Sequence, residues 1–309
     1  MKIIYIPLFS VLLLFFISPR VTAQTSQADK VDNKLDSLED LDKSDKHASF
    51  KFGVNYLSNN VFMGRADTVR TPTISPELKY TFKNGIFVSA TADYIPNRVT
   101  NKLDAGDISA GYDYDIIDDL SGAVSFTKMF YSANSTQIGS SISSVINASL
   151  TYDIASIITP TVGVDYNIIK QGFGNDIFVN AGLSHDFAKE QIFGDNDLFI
   201  ISPTATVNAG TQNFYDAYFV LKKYKLTAKG QAREAAAEKL ITKRKEQLSK
   251  FNMLDYEFSA PVEYKIGILI LSFVPTYAIA ENKLPPRITA GLVSGSGVFY
   301  FETGAALKF

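Results

Sequence analysis

The chain has 309 residues, 30 Lys and Arg against 32 Asp and Glu, a net charge of −2 and no cysteine. The missing thiols exclude a disulfide scaffold, a thiol nucleophile and a zinc–thiolate site, and the balanced charge speaks for no nucleic-acid partner. With 23 Phe and 16 Tyr the chain is rich in aromatic residues, yet beyond its first residues the longest apolar run, 266–274, is broken by Gly267 and Ser272. That falls short of the roughly 18 residues that mark a transmembrane helix, so the chain is either soluble or a β-barrel.

The N-terminus reads as an export signal. Lys2 gives a positive start, residues 7–17 (PLFSVLLLFFI) form a short apolar core, and Val21, Thr22 and Ala23 suit a signal peptidase. Residues 1–23 are therefore expected to be removed; the core is too short to remain as a membrane anchor. Residues 24–47 are polar and charged, and read as a flexible periplasmic leader, with Leu35, Leu38 and Leu41 at a three-residue step that allows a short helix.

From Ala48 the period becomes two. Phe50, Phe52, Val54 and Tyr56 alternate with Lys51, Gly53 and Asn55, as a strand with one face in lipid and one in water requires. A soluble sandwich strand alternates too, so repetition decides. Leu78, Tyr80 and Phe82 oppose Glu77, Lys79 and Thr81. Ile86, Val88 and Ala90 oppose Ser89, Thr91 and Asp93. Ile108, Tyr112 and Ile116 oppose Asp107, Asp113 and Asp115. Val124 and Phe126, Ile146 and Leu150, and Val162, Val164 and Tyr166 continue the series, with Asp153 and Asp165 on the polar side. Further strands centre on 179–183, 199–209, 254–264, 269–277 and 299–309. The expectation is an all-β, transmembrane, antiparallel up-and-down barrel of about twelve strands over 48–309, an even number as single-chain bacterial barrels have.

Connection lengths agree. The short joints at 83–85, 118–119, 155–159 and 264–267 alternate with longer polar links at 59–73, 96–106, 132–140 and 281–296. These are expected to be periplasmic turns and outer loops respectively. Pro76, Pro203, Pro261 and Pro275 fall inside proposed strands, remove ladder donors and point to bulges or strand ends. One segment breaks the pattern: 225–252 is rich in helix formers, with a thin stripe of Ala232, Ala236, Leu240 and Leu248 and a basic Lys243-Arg244-Lys245 run. It is expected to be a solvated helical insertion in an outer loop; attraction to an anionic surface is the alternative.

At the C-terminus Phe299, Phe301, Thr303, Ala305, Leu307 and Phe309 share one face, and the chain ends on the aromatic. Phe301, Leu307 and Phe309 resemble the closing-strand signal by which barrel proteins are recognised by the barrel-assembly machinery. Near the other end, the stretch 55–65 (NYLSNNVFMGR) resembles the opening of TorF-type porins, where a strand runs into Ser-Asn, an aromatic, and Phe-Arg-Gly. Here Asn60 stands for the aromatic, Met63 for the Arg, and Arg65 lies one place beyond the Gly. The resemblance implies a barrel of porin type and no particular solute.

Catalytic candidates are few. The two histidines are His47 in the leader and His185 near the end of a strand, and no Gly-x-Ser-x-Gly elbow occurs. No cofactor or metal is expected: Asp104 and Asp107 beside Gly106 do not make a calcium-loop spacing. The polar faces carry many carboxylates. Lys51, Glu77, Lys79, Asp93, Asp107, Asp113, Asp115, Asp153, Asp165, Asp255, Glu257, Glu263 and Glu302 are the candidate pore-lining residues, with Lys308 a third inward cation. An open lumen so lined would favour cations. The expected function is an outer-membrane channel of a Gram-negative bacterium, passing small polar or cationic solutes and not an enzyme. The alternatives are a structural or interaction barrel with a closed lumen, and a lipid-modifying enzyme dependent on His185.

Overall fold

The computed structural model describes residues 47–67, 70–99, 102–133, 135, 137–170, 174–194, 196–214, 246–282, 292–293 and 297–309. The expected signal peptide 1–23 and nearly all of the leader 24–47 lie outside them. Of the insertion expected at 225–252, residues 246–248 form a helical turn, and a strand already begins at Asn252.

Twelve walls form one antiparallel sheet. In chain order they are Ser49–Leu57, Thr73–Thr81, Ile86–Tyr94, Leu103–Ile117, Leu120–Tyr131, Ile142–Tyr152, Thr159–Ile169, Asp176–Ser184 continued by Phe187–Glu190, Asp197–Ile201 with Thr204–Gly210, Asn252–Ser259 with Val262–Ile266, Leu269–Ala280, and Val298–Lys308. Each wall pairs with its neighbours in sequence, and the last pairs with both the eleventh and the first, so the sheet closes. Closure leaves no unpaired edge, the condition for a sheet to stand in lipid. At the seam Phe50 and Phe309 exchange backbone hydrogen bonds of 3.0 and 2.9 Å. Tyr56, Phe301 and Phe273 cover it from outside, with ring centroids 6.2 and 5.7 Å apart along the row.

The dyad read from the sequence is the division between outside and inside. Phe50, Phe52, Val54, Tyr56, Leu78, Val88, Ile108, Phe126, Ile146 and Phe273 are exposed on the outer face, and Lys51, Asn55, Glu77, Ser125, Asn147, Asp165 and Asn180 are buried on the inner one. Short turns gather at one end, together with the first wall's start and the chain's last residue. The ends of the walls that flank the links 58–72, 95–102, 132–141, 170–175, 211–251 and 281–297 lie at the other. The link at 185–196 is long for a turn because Phe187–Glu190 and Asp197–Ile201 extend two walls as a hairpin. Asp197 ties its tip, accepting hydrogen bonds from the N–H groups of Ile192 and Phe193 at 2.8 Å and from the Tyr264 hydroxyl at 2.8 Å.

The prolines do not scatter. Pro203 and Pro261 interrupt adjacent walls at one level, where Ser202 N–H donates to the Pro261 carbonyl and Ala260 N–H to that of Pro275. Donors missing from three neighbouring walls thus coincide along one line, while the proline carbonyls still accept. Pro76 acts alone: pairing of its wall to the third one skips Ser75 and Pro76, and the Ser75 hydroxyl donates instead to Asp93 at 2.8 Å.

Candidate functional site: the lumen and its loop-end stopper

The inner face is charged but unevenly open. Lys308, Lys51 and Lys79 stand opposite one another on walls twelve, one and two, near the turn end. Like charges so placed repel. Glu77 answers Lys51 at 3.7 Å, and the Lys79 ammonium lies 4.9 Å from the centroid of the Phe87 ring. Phe87 itself is fully buried on the polar face, an aromatic among inward Ser, Thr and Asp. It fits because its partner wall has Gly111 beneath it; a Cβ there would stand 2.5 Å from the ring.

Two buried carboxylates, on walls seven and ten, accept from amides on the walls beside them. Asp165 is 0% exposed and accepts from the Asn147 amide at 2.7 Å; Asp255, also at 0%, accepts from Asn208 at 2.7 Å. Glu263 and Glu302 are buried and Glu257 half-buried. On walls three to five Phe87, Ser109, Ser125 and Thr127 are buried as well, while Ser89, Thr91, Asp93, Asp107, Asp113 and Ala123 keep partial solvent contact. Asp93 accepts from Ser75 and, at 3.0 Å, from Gln137 in the third loop. Two candidates stand at the turn end. Asp115 is exposed, and Asp153 lies just beyond its wall, accepting from Ser156 N–H at 2.7 Å as a turn cap. Partly wetted carboxylates and buried hydroxyls thus alternate along walls three to five.

At the loop end the lumen meets an apolar body. Phe62, Ile138, Ile142, Val145, Phe178, Phe214, Leu248 and Leu254 form one buried cluster. The rings of Phe62, Phe178 and Phe214 touch edge to face, with centroids 4.8 to 6.0 Å apart. Its members come from three inturned connections as well as from the walls. The link 59–73, expected to be a polar outer loop, is in fact a hairpin folded into the mouth: Val61–Phe62 pairs with Arg65–Asp67, which pairs on to Leu292–Val293. Met63 and Gly64 make its two-residue turn with φ of 48° and 69°, the geometry that matches strand twist and favours glycine at the second place. A Cβ on Gly64 would stand 2.9 Å from both Ala280 Cα and Asp255 Cβ, so the hairpin is pressed against walls ten and eleven.

Asp176 holds the second inturned piece. Fully buried, it accepts from Thr211 Oγ1 at 2.6 Å and from the N–H groups of Asn213 and Phe214 at 2.7 Å each, capping the helical turn that carries Phe214 inward. The two feet of the longest connection meet here as well, Gln212 N–H donating to Leu248 O at 2.7 Å and Ser249 Oγ to Asn213 Oδ1 at 3.1 Å. The third piece is the 3-10 turn Ile138–Ser141, whose Ser141 hydroxyl donates to the Phe214 carbonyl at 3.2 Å.

His185 lies at the turn end, its Nδ1 against the Ile157 carbonyl and its ring edge-on to Phe187 at 4.3 Å. Among the described residues no group of three or more His, Cys, Asp or Glu is placed to hold a metal. Phe301 is half-buried, and Leu307 and Phe309 are exposed on the outer face. Arg65, Phe87, Asp176 and Asp197 are not candidates that the sequence offers, and only Gly111 and the Met63-Gly64 pair hint at two of them.

No protein-family model matches the chain, and no curated protein matches it in sequence. Among solved structures it is similar to a KdgM porin, with 8% identity over 84% of this chain and 99% of that one and a TM-score of 0.43. It is similar to the translocator domain of the autotransporter NalP from Neisseria meningitidis, with 12% identity over 91% and 96% and a TM-score of 0.41. It is similar to LpxR from Salmonella typhimurium, with 10% identity over 84% and 99% and a TM-score of 0.39. All three scores are below 0.5, and the twelve-walled barrel stands on its own strand pairing.

Proposed function

We propose that the chain is an outer-membrane barrel of a Gram-negative bacterium and works as a porin-like channel for small polar or cationic solutes. One observation carries this reading: inside a closed sheet with an apolar outside, the carboxylates Asp93, Asp107 and Asp113 on walls three and four keep partial contact with solvent. A side chain set in a low-dielectric wall and facing water attracts counter-ions strongly, so carboxylates there favour cations and repel anions. The signal peptide, insertion through the barrel-assembly machinery with Phe301, Leu307 and Phe309 as the signal, and kinship with TorF-type porins belong to the same proposal.

Purified protein in planar bilayers tests it. Stepwise openings with a preference for K⁺ over Cl⁻ are expected, and Asp107→Asn with Asp113→Asn should lower that preference by about twofold or more. Openings that stay unselective, or selectivity untouched by the double substitution, would take these carboxylates off the path. A second reading has its own support in the Phe62–Phe178–Phe214 body: a barrel kept shut, serving as a structural or interaction scaffold. Silence at every voltage, in a preparation that is folded and inserted, favours that one.

A further inference from the structure

Arg65 is only 2% exposed, although it begins the return strand of a hairpin in the mouth. Its guanidinium is held by main-chain carbonyls. Nη1 donates to Met63 O and, at 3.3 Å, to Leu254 O; Nη2 donates to Glu281 O at 2.8 Å and to Asn282 O at 3.5 Å. Burying a guanidinium is costly unless its donors are met, so this niche is fitted to that group.

The fit has local causes. Pairing of walls nine and ten slips between Asn208 and Ala209, leaving Leu254 as an extra residue whose carbonyl accepts both Arg65 and Glu281 N–H. Asn282 takes a positive φ of 45°, turning the chain where two of the acceptors lie. All four acceptors are main chain and do not depend on Arg65 for their existence. Glu281 and Asn282, which carry two of the acceptors, are exposed at the loop end beside the niche.

We infer that this niche is a guanidinium-selective cation subsite at the mouth of the lumen, filled in this state by the chain's own Arg65. A guanidinium in the niche bridges the hairpin, through Met63 O, to the carbonyls of Leu254, Glu281 and Asn282 on the wall side, and so competes with Arg65 for the same seat. An ammonium ion is a poor competitor, because a compact charge cannot reach acceptors spread around a planar fork. The link to transport rests on the channel reading; the subsite itself does not.

The test uses the full-length barrel in detergent and in bilayers, with guanidinium chloride as probe at concentrations far below denaturing ones and NaCl or tetramethylammonium chloride at equal ionic strength. Chymotrypsin cleavage after Phe62 reports release of the hairpin. Arg65→Ala is expected to speed that cleavage about tenfold or more, since several charge-assisted hydrogen bonds are lost, and guanidinium should slow it again while the other salts do not. Arg65→Lys, which keeps the charge, is expected to lie between and carries the same test if Arg65→Ala does not assemble. Cleavage unchanged by the substitutions, or no protection by guanidinium beyond that of NaCl, overturns the subsite. A chain that never conducts, yet shows guanidinium-specific protection of Arg65→Ala, refutes the channel and keeps the subsite.

Discussion

Asp176→Ala is expected to open the mouth of the barrel and to lower its stability by about 3 kcal/mol or more, from the cost of leaving buried N–H donors unmet. The carboxylate accepts three hydrogen bonds, two of them from the N–H groups of Asn213 and Phe214 at the start of a helical turn. Alanine leaves those two groups buried with no acceptor, and water can reach them only if the turn swings outward. That swing carries Phe214 away from Phe62 and Phe178, so the apolar stopper loses one of its three rings. Single-channel conductance or open probability should therefore rise several-fold while the barrel remains folded, as read from heat-dependent gel mobility. Asp176→Asn keeps an acceptor oxygen and should lose much less. A variant Asp176→Ala as stable and as closed as the wild type would show that the cap does not hold the turn.

The second large effect concerns the outer face. Leu78 and Phe126 point outward from the middle of their walls, 47% and 47% exposed. Arginine at either position places a charge in hydrocarbon, at a cost of about 2–4 kcal/mol near the bilayer midplane and close to zero at its rim. Phe309→Arg, at the turn end, should cost far less by the same measure. Urea unfolding from lipid vesicles reads the difference directly. Equal costs at Leu78 and Phe309 would mean that no hydrocarbon band surrounds the walls.

The two effects differ in how far each was legible beforehand. Leu78 and Phe126 were assigned outward from the alternation in their own strands, because a strand's faces are set by a local rule of two. The parity of short and long links, and the strand count, followed from the same local reading. Asp176 was not singled out at all. Nothing nearby in the chain marks it, since its partners Thr211, Asn213 and Phe214 lie 35 to 38 residues away.

Arg65 shows the limit most sharply. Its neighbours in sequence offer only a loose likeness and a polar link, yet three of its four acceptors lie 189 to 217 residues further on. Phe87 is a milder case: alternation places it inward, but only the register with Gly111 explains how an aromatic ring fits there. Likewise each proline signals a lost donor by itself, whereas the alignment of Pro203, Pro261 and Pro275 across three walls is a matter of register.

What the amino-acid order determined by itself was the two-residue rhythm, hence an all-β chain whose alternate side chains part oil from water around a closed ring. Tertiary structure alone decided which inward groups meet: the Lys51–Glu77 pair, the amide-held Asp165 and Asp255, the Asp176 cap and the Arg65 niche. The reason is physical. Facing direction is a property of neighbouring residues, while the filling of a lumen depends on register and on loops that return from distant parts of the chain.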